Sequence, residues 1–225
     1  MIKFANQGLY TLPQAGRLLG ERAATVERWA FGYERRGAAY EPPIRTEVPA
    51  LEGVKVITFL ELVELMFIRG LLAAGLSWKR VRTAAATATR LLHDVPHPFA
   101  MRKWFADPAG VYLQLGEEHG EPILVELAGD AQVALGKVLD PYLQQIEFDI
   151  DGVAHRWYPL GFDRPVVVDP RRALGAAIIP SGGVPTDVLL EMHRAGDSVP
   201  SIAAWYGLEE YEVAAALEFE EGLRR

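Results

Sequence analysis

YTLPQAGRLLGERAATVERWAFGY, residues Tyr10 to Tyr33, decides how the chain begins to fold. It reads as a helix, a tight turn and a second helix. Ala15 and Gly16 are small where the two helices must cross, Gly20 sits at the turn, and Val26 and Trp29 return to the crossing from the second helix. That spacing buries one face of each helix, as a helix-turn-helix requires. The face left outside carries Arg22, Thr25 and Arg28. In a DNA-reading unit of this geometry the N-terminal residues of the second helix lie on base edges in the major groove. Glu21-Arg22 stands where an apolar residue and a capping Ser or Thr are common, and a missing N-cap costs roughly 0.5–2 kcal/mol of local helix stability. A helical hairpin that merely packs would show the same pattern.

With 225 residues, 50% of them hydrophobic, the chain can bury a real core, and its length fits one large or two to three small domains. No run approaches a membrane span, and the opening MIKFANQG lacks the apolar core of a signal peptide, so the cytoplasm is the expected compartment and no membrane partner is expected. The absence of cysteine excludes disulfides, thiolate metal sites and cysteine nucleophiles. The net charge of −7 divides unevenly. Residues 1–92 hold 13 Lys/Arg and 8 Asp/Glu, a balance of +5, and residues 93–225 hold 10 and 22, a balance of −12. Phosphates would attract the first part and repel the second; two surfaces each solvated in its own way would give the same totals.

Residues 34–57, with Gly37, Pro42, Pro43, Pro49 and Gly53 and the alternating run Val54-Lys55-Val56-Ile57, are expected to form a β-hairpin. Arg35, Arg36, Arg45 and Lys55 would lie along it as basic residues do on a wing that touches the phosphate backbone. Thr58 and Glu61 form a capping box before a helix whose inner stripe is Phe59, Leu62, Val63 and Met66. Gly75 ends that helix, and Ser77 caps another running to about Leu92. Lys79, Arg80 and Arg82 crowd its first turn; cations there oppose the helix dipole unless an anion, a phosphate or a neighbouring Glu, lies close.

The order helix-turn-helix, wing, then TFLELVELMFIRGLLAAGLSWKRVR resembles the DNA-binding region of MerR-type regulators over residues 10 to about 92, with Phe67, Ile68, Arg69, Leu71, Gly75 and Ser77 carrying the match. Pro96 and Pro98 stop the long dimerisation helix those regulators continue into. In the middle, Val111–Leu115 and Pro122–Leu127 flank an acidic loop as two strands of a hairpin, and the aromatic run Arg156-Trp157-Tyr158 follows. The last 65 residues read as strands at Pro165–Asp169 and Ala176–Pro180, a turn at Ser181-Gly182-Gly183, and three helices: Pro185 to Ala195, Ser198 to Tyr206, and Glu209 onward. RPVVVDP (Arg164 to Pro170), Gly175, Val184-Pro185-Thr186 and AGDSVPSIAAWYGL (Ala195 to Leu208) resemble a C-terminal domain found in VapB-type antitoxins, the partners of toxins with the PIN nuclease fold. Many members carry Gly-Thr-Arg where this chain has Ser181-Gly182-Gly183. Together the parts resemble the larger, DNA-binding VapB-type antitoxins over almost the whole chain.

The expected fold is mainly α with small β elements: a winged helix-turn-helix (1–95), a β-containing connecting region (96–161), and strands plus a three-helix homeodomain-like domain (162–225). The resemblance implies an antitoxin that neutralises a PIN-domain ribonuclease and represses its own operator; double-stranded operator DNA and the toxin are then the partners. A homodimer follows from the usual palindromy of such operators. The other reading is a MerR-like regulator whose acidic half senses a small molecule. The DNA contacts are expected at Arg22, Thr25, Arg28, Arg35, Arg36, Arg45, Lys55, Lys79 and Arg80.

The C-terminal helices also match helix-turn-helix spacing through Ile202, Ala203, Gly207, Leu208, Val213 and Ala216, but the second of them carries Glu209, Glu210 and Glu212, then Glu218, Glu220 and Glu221. Carboxylates facing phosphates are repelled. Trp205, Glu209, Glu210, Tyr211 and Glu212 are therefore expected to meet the toxin, with the alternative that Trp205 is core and the glutamates only solubilise the tail. Catalysis, metals and cofactors are not expected. His93 and His97 have zinc-ligand spacing but are flanked by Pro96 and Pro98, which reads as a linker, and His119, His155 and His193 stand alone. Glu117, Glu118 and Glu121 read as a solvated hairpin tip, and Asp149-Ile150-Asp151-Gly152 as a turn rather than a calcium loop.

Overall fold

The computed structural model describes residues 7–48, 50–73, 75–91, 96–101, 104–107, 110–118, 121–126 and 144–223. Strand β1 (Leu9–Thr11) leads into α1 (Leu12–Leu19), which turns at Gly20 into α2 (Ala23–Phe31). Thr11 caps α1 in a capping box with Gln14, whose Oε1 accepts from Thr11 N at 2.9 Å. Gly20 ends it at φ 64°, a left-handed conformation glycine adopts without cost. Gly16 is required by the crossing: a Cβ there would sit 2.6 Å from the Glu21 carbonyl oxygen. Ala15 and Val26 are fully buried in the same crossing, and Trp29 packs at 5.7 Å against Trp78. The expected helix-turn-helix is present. Arg22, at the N-cap of α2, makes no side-chain capping bond.

The hairpin that follows is shorter than expected. Strands β2 (Tyr33–Arg35) and β3 (Ala38–Tyr40) pair around a two-residue turn at Arg36 and Gly37. Both turn residues have positive φ, 52° and 75°, as a type I′ turn demands. Residues 54–57 do not return to this ribbon: β4 (Val56–Thr58) pairs antiparallel with β1, Tyr10 opposite Ile57. The buried pattern of β4 is satisfied by that distant strand, which the local alternation could not reveal. Thr58 and Glu61 form the expected capping box, with Thr58 N donating to Glu61 Oε2 at 2.9 Å, and open α3 (Phe59–Ala73). This helix is the hub of the N-terminal part, with Phe59, Leu62, Leu65, Ile68 and Leu71 all buried. Gly75 lies at φ 92° beyond its end, and Ser77 Oγ accepts from Arg80 N at the start of α4 (Trp78–Leu91). The helical spacing turns Trp78, Val81, Ala85, Ala88 and Leu92 inward; Val81 and Ala85 are buried, with Ala84 beside them, Trp78 is half-buried, and Ala88 and Leu92 lie outside the described side chains.

A short 3-10 turn (Pro98–Ala100) leads to a three-stranded antiparallel sheet of β5 (Trp104–Asp107), β6 (Gly110–Glu118) and β7 (Glu121–Glu126), which contains the expected hairpin. His93, His119, Leu127 and the segment with Val138, Leu139, Tyr142 and Leu143 lie outside the described residues. A five-stranded antiparallel sheet then forms from β8 (Ile146–Phe148), β9 (Ala154–Trp157), β10 (Val167–Val168), β11 (Ala177–Ile179) and β12 (Val184–Pro185), in spatial order β12-β11-β10-β9-β8. Trp157 lies opposite Val168, so strands from either side of residue 161 pair in one sheet. At Asp149 the side chain accepts from Asp151 N and Val153 N at 3.0 and 2.9 Å, making the β8–β9 connection a turn.

Three helices close the chain: α5 (Thr186–Ala195), α6 (Val199–Tyr206) and α7 (Glu210–Gly222). Gly196 and Gly207 end the first two in left-handed conformations, and Ser198 caps α6. The fold is thus mainly helical with small sheets, as expected. Its N- and C-terminal parts share one apolar cluster. Their junction is polar as well: Gly8 N donates to Pro170 O at 3.1 Å, Tyr10 Oη to Gly175 O at 2.8 Å, and Arg17 meets Glu220 at 2.7 Å.

Candidate nucleic-acid interface and partner surface

The structure places Arg22 and Arg28 exposed on α2 and Thr25 between them, half-buried. Arg28 Nη2 lies 3.5 Å from Thr25 Oγ1. On the ribbon Arg35 and Arg36 are exposed, Arg36 at its tip, and Arg45 is exposed in the connection to β4. Helix α4 reaches this face through Arg82, whose guanidinium stacks over Tyr40 and Trp78 and donates to the Glu41 carbonyl at 3.0 Å. Arg82 therefore ties the ribbon to α4, and Trp78 ties α4 to α2 through Trp29. This brings Lys79 and Arg80, in the first turn of α4, onto the unit that carries α2 and the ribbon. Tyr33 and Tyr40 stack at 4.7 Å and stiffen the ribbon base.

The charge on this unit is not cancelled internally. Among the described residues none of Arg22, Arg28, Arg35, Arg36, Arg45, Lys79 and Arg80 forms an ion pair. Of the acids on this unit, Glu21 pairs with Arg69, Glu27 with Lys55 and Glu47 with His97, and Glu61 and Glu64 lie in the interior; Glu34, Glu41 and Glu52 are exposed, and the cations remain in excess. Lys55 departs from expectation. It does not lie on the ribbon, because β4 pairs with β1, and its ammonium sits 2.8 Å from Glu27 and over the Phe31 ring.

His97 is not a linker residue. It is 4% exposed, with Nδ1 3.0 Å from Glu64 Oε2 and Nε2 3.2 Å from Glu47 Oε1, the latter contact lying off the hydrogen-bond direction. Glu64 is itself 1% exposed and also accepts from Phe99 N. Burial works against a charged imidazole, but the Glu64 and Glu47 carboxylates outweigh it and hold His97 above the ordinary histidine range. The buried ion pair pins the segment after α4 to α3. Glutamates 61 and 64, three apart on a helix with no polar face, were the available signal.

In the C-terminal part the acidic helix is divided. Glu209 and Glu210 are exposed at the start of α7. Glu212 is not: it is 6% exposed, accepting from Ser181 Oγ at 2.6 Å and from Glu209 N at 2.9 Å, so it caps the helix and anchors the preceding turn. Glu220, at 3%, accepts from Thr186 Oγ1 and pairs with Arg17. Glu218 pairs with Arg164. The aromatic residues do the opposite: Trp205 is 76% and Tyr211 64% exposed, so Trp205 is not core. The buried set Ile202, Ala203, Leu208, Val213 and Ala216 confirms the helix-turn-helix packing of α6 and α7. A cavity of about 250 Å³ opens between this part and α1, lined by Arg17, Leu18, Leu174, Asp187 and Glu220.

Residues 8–85, the whole unit that carries the unpaired cations, match a family model described as "Putative DNA-binding HTH domain". The chain is 31% identical over 226 residues to the Mycobacterium tuberculosis protein "Putative antitoxin VapB45", covering 93% of this chain and 92% of that one. This protein belongs to the same family. Residues 166–219 match a second model, "Protein of unknown function (DUF433)", which spans β10 to α7 and so includes the exposed aromatic corner. The fold also matches the crystal structure of Rv2018 from Mycobacterium tuberculosis, with a TM-score of 0.65, 25% identity, and coverage of 92% of this chain and 96% of that one. The resemblance to VapB-type antitoxins with a helix-turn-helix, read from Tyr10–Tyr33 and Arg164–Leu208, is thereby borne out at family level. Among the described residues no helix is long and apolar enough to cross a membrane.

Proposed function

We propose that this protein is the antitoxin of a type II toxin–antitoxin pair that binds its operator through residues 7–91 and neutralises a PIN-fold ribonuclease. The observation that carries the DNA half is the set of cations on α2, the ribbon and the start of α4 left without internal partners. Unpaired exposed cations on a helix-turn-helix are the electrostatic footprint of phosphate binding. Thr25 and Arg28 lie where base edges are read; Arg22, Arg35, Arg36, Arg45, Lys79 and Arg80 take the backbone. Lys55, held by Glu27, contributes less. Operator occupancy by a homodimer then represses the protein's own transcription.

The toxin half is supported by family membership and by the separation of charge, since the C-terminal helices keep the helix-turn-helix shape while presenting carboxylates. Its test is growth rescue. Induction of the nuclease encoded beside this chain arrests growth, and co-expression of the chain restores it. Arrest unrelieved by the full chain, with both proteins soluble, removes the antitoxin reading and leaves the DNA reading standing.

A further inference from the structure

We infer that the corner between α6 and α7 is a docking site for an arginine- or lysine-bearing protein surface, which seats a cation among Trp205, Tyr206 and Tyr211 beside Glu209 and Glu210. The inference rests on the antitoxin reading for the identity of that partner, but not for its chemistry. Trp205 and Tyr206 end α6, Gly207 turns the chain at φ 65°, Leu208 is buried beneath the turn, and Glu210 and Tyr211 open α7. Three aromatic residues within one helix corner are exposed, Trp205 most at 76%. Large aromatic side chains of this kind, beside charge, are the composition of interface anchors.

The rest of the molecule shows what these rings lack. Phe31 carries Lys55 over its face, and Tyr40 and Trp78 carry Arg82. Among the described residues no cation lies over Trp205, Tyr206 or Tyr211, and neither Glu209 nor Glu210 forms an ion pair. An indole face beside carboxylates attracts a guanidinium or ammonium through both its quadrupole and the neighbouring charge. The same carboxylates exclude other occupants. Nucleic acid would be repelled, and a two-fold contact centred on this corner would press Glu209 and Glu210 against their own equivalents. Glu212 and Glu220 take no part, because both are buried in internal bonds.

The test uses the full chain with a photo-crosslinking phenylalanine derivative in place of Trp205, irradiated in the cells that make it, with the joined peptide sequenced by mass spectrometry. The expected product is a protein segment bearing Arg or Lys at the cross-link. Made as a synthetic peptide, that segment should bind the full chain about 30-fold more weakly after Trp205→Ala. It should bind more weakly still after the joint change Glu209→Lys and Glu210→Lys, with an unchanged circular dichroism spectrum as the check on folding. Cross-linking to nucleic acid, to a second copy, or to a segment without basic residues overturns the inference, as does no cross-link at all. A basic segment from a protein that is not a nuclease upholds the docking chemistry while removing the toxin assignment.

Discussion

Replacing His97 with alanine would leave Glu64 buried without the imidazolium 3.0 Å from its Oε2. Breaking a buried pair by removing one partner typically costs 3–5 kcal/mol. Glu64 has one escape, which is to take up a proton. At pH 7 protonating a carboxyl of ordinary pKa near 4.3 costs about 3.7 kcal/mol, and at pH 5 about 1 kcal/mol. Protonating Glu64 therefore accounts for about 3–4 kcal/mol of the His97→Ala cost at pH 7 and about 1 kcal/mol at pH 5, so the cost is expected to be larger at pH 7. The wild-type pair has the opposite sensitivity. The folded pKa of His97 is raised, so its contribution is complete below the unfolded value of about 6.5 and is lost as pH rises through the folded one. Urea unfolding at the two pH values reads both effects, and adding Glu64→Gln to His97→Ala should recover most of the loss at pH 7. A cost equal at both pH values, or no rescue by Glu64→Gln, would refute the buried ion pair as the source of stability.

Gly16→Ala puts a Cβ 2.6 Å from the Glu21 carbonyl and is expected to cost about 1–3 kcal/mol by overpacking the helix crossing, seen as a lower melting temperature. Arg28→Ala is expected to weaken binding to the specific operator by about 1–3 kcal/mol if the side chain reads a guanine, and to leave the fold unchanged; equal affinity by anisotropy would remove it from the contacts. Asp169 is buried, which alone would raise its pKa, but Arg171 N and the Arg156 guanidinium hold it below the usual carboxylate range. Its stabilisation is present above about pH 3.9 and is lost as pH falls through the folded value, so the melting-temperature gap between wild type and Asp169→Asn should close on acidification.

What could be read from the residues alone was what they settle locally. The Ala15, Gly16, Gly20, Val26 spacing, the Thr58–Glu61 capping box and the glycine stop at Gly75 each fix structure through neighbours a few residues away. The departures share one physical cause, a partner far along the chain. Lys55 looked like wing because Val54–Ile57 alternates, but β4 finds its mate in β1. His97 looked like linker between prolines, but its counter-charge is Glu64, 33 residues earlier. Glu212 looked like surface until Ser181 reached it across 31 residues. Trp205 carried two readings, core or anchor, and only its exposure decides between them.

Residues 7–91 are expected to bind duplex DNA by sequence through α2 and by charge through the ribbon and α4. The direct test is the affinity of the full chain for the duplex upstream of its own gene, measured by fluorescence anisotropy across a series of salt concentrations. With about six phosphates neutralised per protomer, the logarithm of affinity should fall against the logarithm of salt with a slope of roughly −5 per bound protomer, or roughly −11 for a homodimer. The slope should become shallower by about one per bound protomer for each of Arg36→Ala and Lys79→Ala. A slope near zero, or equal affinity for the upstream duplex and a scrambled duplex of the same length, would contradict the account.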